Sequence, residues 1–443
     1  MQSTLIAIAL FQIISVQGPT RIPAATELPR SRVRELPNIV LVIADDFGVD
    51  LMSSYAEGGD LPCTPVLDDL TASGMLFRNA WATPQCSPTR TQLLTGRYGF
   101  RTGIGTPGGA NLSLDEVIVP EMLTGYSSAA VGKWHIGGNG TSAMTHPNDS
   151  GFDHFAGSRG NLSDYSDWDK LENGVLLPTM TYATTDTADE AIEAIQTMPQ
   201  PFYLHVAFNA PHGPAHVPDP VLCPAACPAS DYCGSVVQGS DNWEKARASV
   251  GAMDSELGRI LAVLDAVDPD AYVFFIGDNG TANNATRPPF VNGHAKGTVY
   301  EGGLNVPLVV RGPGVAAGTE CAGLVSAVDL WATFAELSGR AAATEDSVSM
   351  VPYFDDPNLS LRSTVYSESF SPNFQTLPFN NHERAIRDER YKLIRRTGEA
   401  DEFFDLLTDP WESNDLVPTL VPGSAAEQAY QALVGELLAL GVG

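Results

Sequence analysis

Asp45-Asp46 and Asp278-Asn279 lie more than half of a 443-residue chain apart, yet each pair closely follows an apolar run. Three carboxylates gathered without a cation would repel one another in a partly buried site. A hard divalent ion relieves that repulsion, and three carboxylates with one amide oxygen suit calcium or magnesium rather than zinc. Taken alone, Asp45-Asp46 also reads as a helix cap or a turn. Lys133 and His135 (GKWHIG), His212 (APHGP) and Lys296 (HAKG) add groups that can neutralise an anion or carry a proton.

A further cluster is Cys86-Ser87-Pro88-Thr89-Arg90, followed by TQLLTGR. Ser87 can cap a helix with Pro88 at its first position. Cys86 then lies just before a helix N-terminus, where free amides and the dipole favour an anion, and Arg90 adds positive charge. Two readings follow from these residues: a reactive cysteine in an electropositive niche, or a buried structural thiol.

The elements that must position these groups are legible as short apolar runs with the β-branched richness of buried strands. They are Asn38–Ala44, Ser127–Val131, Phe202–Phe208, Tyr272–Ile276 and Val306–Val310, with helical patterns at Thr187–Gln196 and Asn242–Val267 between them. This alternation predicts an α/β fold, a large doubly wound mixed sheet flanked by helices, over about residues 36–340. Four of the runs lead into Asp45-Asp46, Lys133 and His135, His212, and Asp278-Asn279. Open sheets of this kind bind ligands beyond the carboxyl ends of their strands, so the four clusters are expected on one edge. After Leu337 the segments shorten: Ser363–Glu368, the strand pair within RAIRDERYKLIRR and a helix around Ala425–Leu440 predict a smaller α+β domain with an antiparallel sheet over 341–443.

Lys and Arg total 25 against 53 Asp and Glu, a formal charge of −28. That balance excludes nucleic acid as an expected partner, since binding it needs a basic face. The run Leu5–Val16 has the length of a signal-peptide core and is too short to span a bilayer, so residues 1–18 are expected to direct export to a secreted, periplasmic or lysosomal-type compartment without stable membrane insertion. Export makes a disulfide the expected use of two thiols in the cluster CPAACPASDYC (Cys223, Cys227, Cys233). It also makes Asn111, Asn139, Asn148, Asn161, Asn284 and Asn358 possible glycan acceptors. Asn279 is a formal sequon too, but a glycan there is incompatible with metal ligation.

CSPTRTQLLTGR resembles the signature of the sulfatase family, Cys-x-Pro-x-Arg followed by Thr-Gly-Arg. NIVLVIADDFG, GKWHIG, APHGP, GDNGT and HAKGTVYEGGLNVPLVVRGPG are similar to the family's further site segments, and AIRDERYKLIRR and FFDLLTDPWESNDL to its C-terminal domain. The resemblance implies that Cys86 is oxidised by a formylglycine-generating enzyme and used as the hydrated aldehyde. It implies one calcium ion held by Asp45, Asp46, Asp278, Asn279 and the converted Cys86. Arg90 would orient the hydrate and His135 accept a proton from it. Lys133 and Lys296 would neutralise sulfate oxygens, and His212, with Lys296, would assist the leaving oxygen. His294 is placed in the surroundings of the site, and Ser158 is a candidate sulfate contact. The expected substrates are small or oligosaccharide sulfate esters, aryl or carbohydrate. Two departures stand out: Leu304-Asn305 after YEGG, and the Cys223–Cys233 insertion, which is expected to wall the substrate pocket.

Two rivals remain at this stage. A phosphonate or phosphodiester hydrolase of the same superfamily would share most of the site, but those relatives tend to carry Asp-His where Asp278-Asn279 stands. A catalytically silent binding protein would not need the whole set of acids, cations and Cys86.

Overall fold

The computed structural model describes residues 36–227, 235–341 and 344–443. The expected signal peptide at 1–18 and Cys233 lie outside the described residues. Fourteen strands occur among those described: β1 (Ile39–Asp45), β2 (Met75–Trp81), β3 (Ser127–Gly132), β4 (His154–Gly157), β5 (Trp168–Glu172), β6 (Val175–Thr179), β7 (Phe202–Pro211), β8 (Tyr272–Gly277), β9 (Leu308–Arg311), β10 (Thr319–Ser326), β11 (Val365–Ser371), β12 (Asn381–Arg387), β13 (Tyr391–Arg396) and β14 (Glu402–Asp405).

The first ten form one mixed sheet in the order β10-β2-β9-β8-β1-β7-β3-β4-β5-β6. Its centre, β8-β1-β7-β3, is parallel throughout. Residues alternate across a strand, so β1 serves two cores at once. Ile39, Leu41 and Ile43 face one side with Leu93, Leu94, Trp331 and Phe334. Val40, Val42 and Ala44 face the other, against Val250, Leu257 and Leu264 of the helix Asn242–Val267 and Ala188 and Ala191 of the helix Ala183–Thr197. A sheet covered on both faces explains why its central strands are continuously apolar.

The expected strand Val306–Val310 is realised as β9, but it runs antiparallel to both β8 and β2. An apolar run signals burial, whereas direction depends on the connection, here the long segment between Gly277 and Leu308 that carries Lys296 and the short helix Glu301–Leu304. The second sheet is antiparallel, β11-β12-β13-β14, and carries the helix Ala425–Ala439. Leu304, the first of the two departures after YEGG, is fully buried with Trp81 and Val299, while Asn305 donates to the carbonyl of Arg78 at 3.2 Å.

Two thiols of the cysteine cluster, Cys223 and Cys227, are disulfide-bonded. Cys227 is bonded to Cys63 across 164 residues, pinning the insertion to the loop before the helix Pro65–Ser73. Cys86 and Cys321 are free thiols. Among the described residues no helix is long and apolar enough to cross a membrane.

Candidate active site

Because β8, β1, β7 and β3 are parallel, their carboxyl ends open on the same edge. Asp45-Asp46, Lys133 and His135, His212, and Asp278-Asn279 leave that edge together. Asp46 N–H donates to Asp278 Oδ1 at 3.1 Å, and Asn279 Nδ2 donates to Asp46 Oδ1 at 2.9 Å. Asp46 and His135 each have φ 62°, a left-handed backbone uncommon outside glycine that Asp and His adopt more readily than most side chains. Strain of this kind persists where surrounding structure enforces it, and it aims both side chains into the cleft.

The segment bearing Lys296 is locked against the Asp278 loop. Lys296 N–H donates to Thr281 O at 3.1 Å, and Gly280 N–H to Gly303 O at 3.1 Å. A side chain at Gly280 would overlap the carbonyl of Gly302, so only glycine lets these loops meet.

Cys86 opens the helix Cys86–Thr95, every residue of which is buried. Gln85, not Ser87, is the capping position. The Ser87 hydroxyl instead donates to the carbonyl of His135 at 2.7 Å, tying the helix to the β3 loop. The helix ends at Gly96, whose left-handed φ of 66° brings it against Trp331. Cys86 Sγ lies 3.3 Å from His135 Nδ1. Asp45, Cys86 and Asp278 each offer a ligand atom within 4.8 Å of the others, and so do Asp45, Asp46 and His212.

Charge is densely matched here. Arg90 donates from Nη2 to Asp278 Oδ2 at 2.8 Å and from Nη1 to the carbonyl of Lys133 at 2.8 Å. Lys133 pairs with Asp45 and Lys296 with Asp46. Burial works against the Asp45 charge, but Lys133, His212 and Arg90 outweigh it and hold its carboxyl well below the usual range. Asp278 moves the other way, raised by burial and by the charge of Asp45. Burial, then Lys133 and Arg90, push His135 down to about 2, so its ring is neutral. Burial also raises the Cys86 thiol, reinforced by Asp45 and Asp278 against Lys133. Left as a thiol, Cys86 is therefore a poor nucleophile, which counts against the reactive-thiolate reading.

The donor set fits a hard cation. Asp45 Oδ1 and Asn279 Oδ1 are buried with no hydrogen-bond donor, an arrangement that is costly unless something else satisfies both oxygens. Asn279 is fully buried, which also excludes a glycan on it.

A Sulfatase family model matches residues 37–340, more than half of the chain. The chain belongs to the sulfatase family. A second family model, N-sulphoglucosamine sulphohydrolase, C-terminal, matches residues 293–436. Among curated relatives, N-acetylgalactosamine-6-sulfatase of Canis lupus familiaris is 30% identical, covering 74% of this chain and 68% of that protein. Arylsulfatase G of Rattus norvegicus is 28% identical, covering 88% and 79%. Among solved structures, Ps i-CgsB in complex with k-i-k-neocarrahexaose aligns with a TM-score of 0.77 at 24% identity, covering 92% of this sulfatase and 93% of that chain. BT4656 in complex with D-glucosamine-2-N,6-O-disulfate aligns at 0.74 and 20% identity, covering 91% and 98%. These last two likenesses establish the fold.

Two neighbouring residues have partners of their own. His294, two residues before Lys296, stacks on Tyr300 with ring centroids 3.7 Å apart. Ser158 donates to Gly160 O at 3.0 Å and exchanges hydrogen bonds with the Asn209 amide, so its hydroxyl is already engaged. Asn161, read from sequence only as a sequon, proves to be part of the cluster. Its Oδ1 accepts from Lys133 Nζ at 2.6 Å. The spacing of the GNLS segment carried no sign of that contact.

Proposed function

We propose that this sulfatase releases inorganic sulfate from carbohydrate or aryl sulfate esters, with Cys86 converted to formylglycine beside one calcium ion. The observation that carries the reading is the placement of Cys86: buried, held protonated as a thiol, and set among Asp45, Asp278 and His135 Nδ1. Asp45, Asp46, Asp278 and Asn279 would hold the ion through their oxygens, and the two unsatisfied acceptors on Asp45 and Asn279 support that role. When present, calcium would polarise the sulfate group, and the hydrated aldehyde would supply the attacking hydroxyl.

The remaining roles belong to unmodified side chains. Lys133 and Lys296 offer ammonium hydrogens to sulfate oxygens and offset their charge. Arg90, spent on Asp278 and the Lys133 carbonyl, fixes both the carboxylate and the lysine. His135 Nδ1, neutral and beside residue 86, can take a proton. His212 Nδ1 lies 2.7 Å from the Gly213 carbonyl, and Nε2 faces the cleft 3.9 Å from Asp46 Oδ2. That nitrogen would deliver a proton to the leaving alcohol oxygen.

Mass spectrometry of the peptide spanning Cys86, taken from enzyme of known specific activity, tests the reading. Active preparations should contain the aldehyde peptide in proportion to their activity. A chelator should remove sulfate release, and added calcium should restore it. Fully active enzyme with an intact Cys86 thiol, or activity indifferent to chelation, overturns the proposal. Maturation on this reading needs a formylglycine-generating enzyme, and the expected compartment is one reached by export.

A further inference from the structure

A cavity of about 570 Å³ opens beside His135, between residues 107–110, 138–139 and 158–169. Such a volume is in the range of small-molecule sites. The described residues of the Cys223–Cys233 insertion do not line it. Asn161 joins this cavity to the reacting centre, because it lines the wall while accepting from Lys133 Nζ at 2.6 Å. An ammonium has three donors. Asp45 and Asn161 take two of them, leaving one for a sulfate oxygen. The cavity therefore adjoins that remaining donor through Asn161.

The walls are chemically selective. No open aromatic face is offered: Trp168 is buried, with its indole N–H bonded to Thr181 O at 2.9 Å. An aryl group would find little to stack on, and Leu162 gives it only a small apolar contact. Hydrogen-bonding groups dominate instead. Arg159, Asp167 and Asp169 are exposed, line the cavity, and make no side-chain hydrogen bond or ion pair with any described residue. Carboxylates accept hydroxyl hydrogens readily, whereas a second anionic group on the ligand would be repelled by both aspartates. One guanidinium against two carboxylates leaves the wall net negative, in a protein whose total charge is −28.

Resting on the sulfate-releasing centre proposed above, we infer that this cavity takes the alcohol half of the substrate as a neutral, hydroxyl-rich sugar ring bearing a single sulfate. Asp167 and Asp169 accept ring hydroxyls. The same pair discriminates against sugars with a neighbouring carboxylate or second sulfate.

The test compares kcat/KM on a hexose monosulfate, a disulfated uronate-containing disaccharide and 4-nitrophenyl sulfate, using full-length converted enzyme. The wild type should favour the hexose monosulfate over the acidic disaccharide by about tenfold or more, as expected for two like-charge contacts. In an Asp167→Ala/Asp169→Ala double variant, the hexose-to-nitrophenyl ratio should fall about tenfold, mainly through KM, as two ligand hydrogen bonds are lost. Asp167→Asn/Asp169→Asn keeps acceptors without charge and should raise relative turnover of the acidic disaccharide. Wild-type preference for that disaccharide, or equal losses on all three esters in the alanine variant, overturns the cavity assignment while leaving sulfate release intact. Absence of sulfate release from every ester by fully converted wild type overturns both proposals.

Discussion

Cys86→Ala should lower sulfate release by roughly four orders of magnitude or more, the scale seen when an enzyme loses its nucleophile but keeps its binding groups. Stability should fall by only about 1 kcal/mol, since one sulfur atom is removed from a packed helix start. Cys86→Ser is the more informative partner. Its hydroxyl occupies the same place, 3.3 Å from His135 Nδ1 in the cysteine form. A serine that attacked sulfur would be left as a simple sulfate ester, with no second hydroxyl on the same carbon to expel sulfate. Such a variant should release at most one equivalent of alcohol and then stop, detectable as a burst without turnover. Sustained turnover by either variant would remove Cys86 from the mechanism altogether.

Much of this centre is legible before any fold is known, because its parts sit at strand ends. A buried strand announces itself by unbroken hydrophobicity, and the polar residue that ends it must emerge at the sheet edge. Asp45, Lys133, His212 and Asp278 are visible for that reason, and the parallel order of β8, β1, β7 and β3 brings them together. The strand β2 was not visible: MLFRNAW places half-buried Arg78 and Asn79 in mid-strand, where Arg78 pairs with Glu320 across the neighbouring strand. Other features depend on contacts that spacing does not encode. Ser87 has the type and position of a helix cap, yet a bond to the His135 carbonyl holds it elsewhere. Cys227 finds Cys63 because the loops meet in space, and connectivity is not deducible from counts. Asn161 joins the site through one amide oxygen and Lys133.

Lys392→Met should cost roughly 3–5 kcal/mol of stability, the usual effect of removing one partner from a buried ion pair. Lys392 is 0% exposed and lies between two carboxylates, with Glu412 Oε1 at 2.7 Å and Glu301 Oε1 at 3.1 Å. Arg387 contacts Glu301 at 3.2 Å, so two cations balance two anions where the second sheet meets the first. Glu412 also accepts from the backbone N–H of Glu301 at 2.5 Å, at the start of the short helix Glu301–Leu304. The substitution therefore leaves an uncompensated buried charge. Its pH dependence has a definite sign. Burial, with the charge of Glu301 opposing ionisation, raises Glu412 to about 7 despite Lys392. A carboxyl raised above its unfolded value of 4.5 contributes stability below that value and loses it as pH rises through about 7. At pH 5 Glu412 is protonated, and Arg387 alone can balance Glu301 in the variant. At pH 8 the wild type holds both carboxylates ionised against two cations, whereas the variant must either leave one charge without a partner or keep Glu412 protonated against the pH. Urea unfolding should accordingly show a larger deficit at pH 8 than at pH 5. An equal deficit at both would mean that the loss came from packing of the lysine stem rather than from its charge.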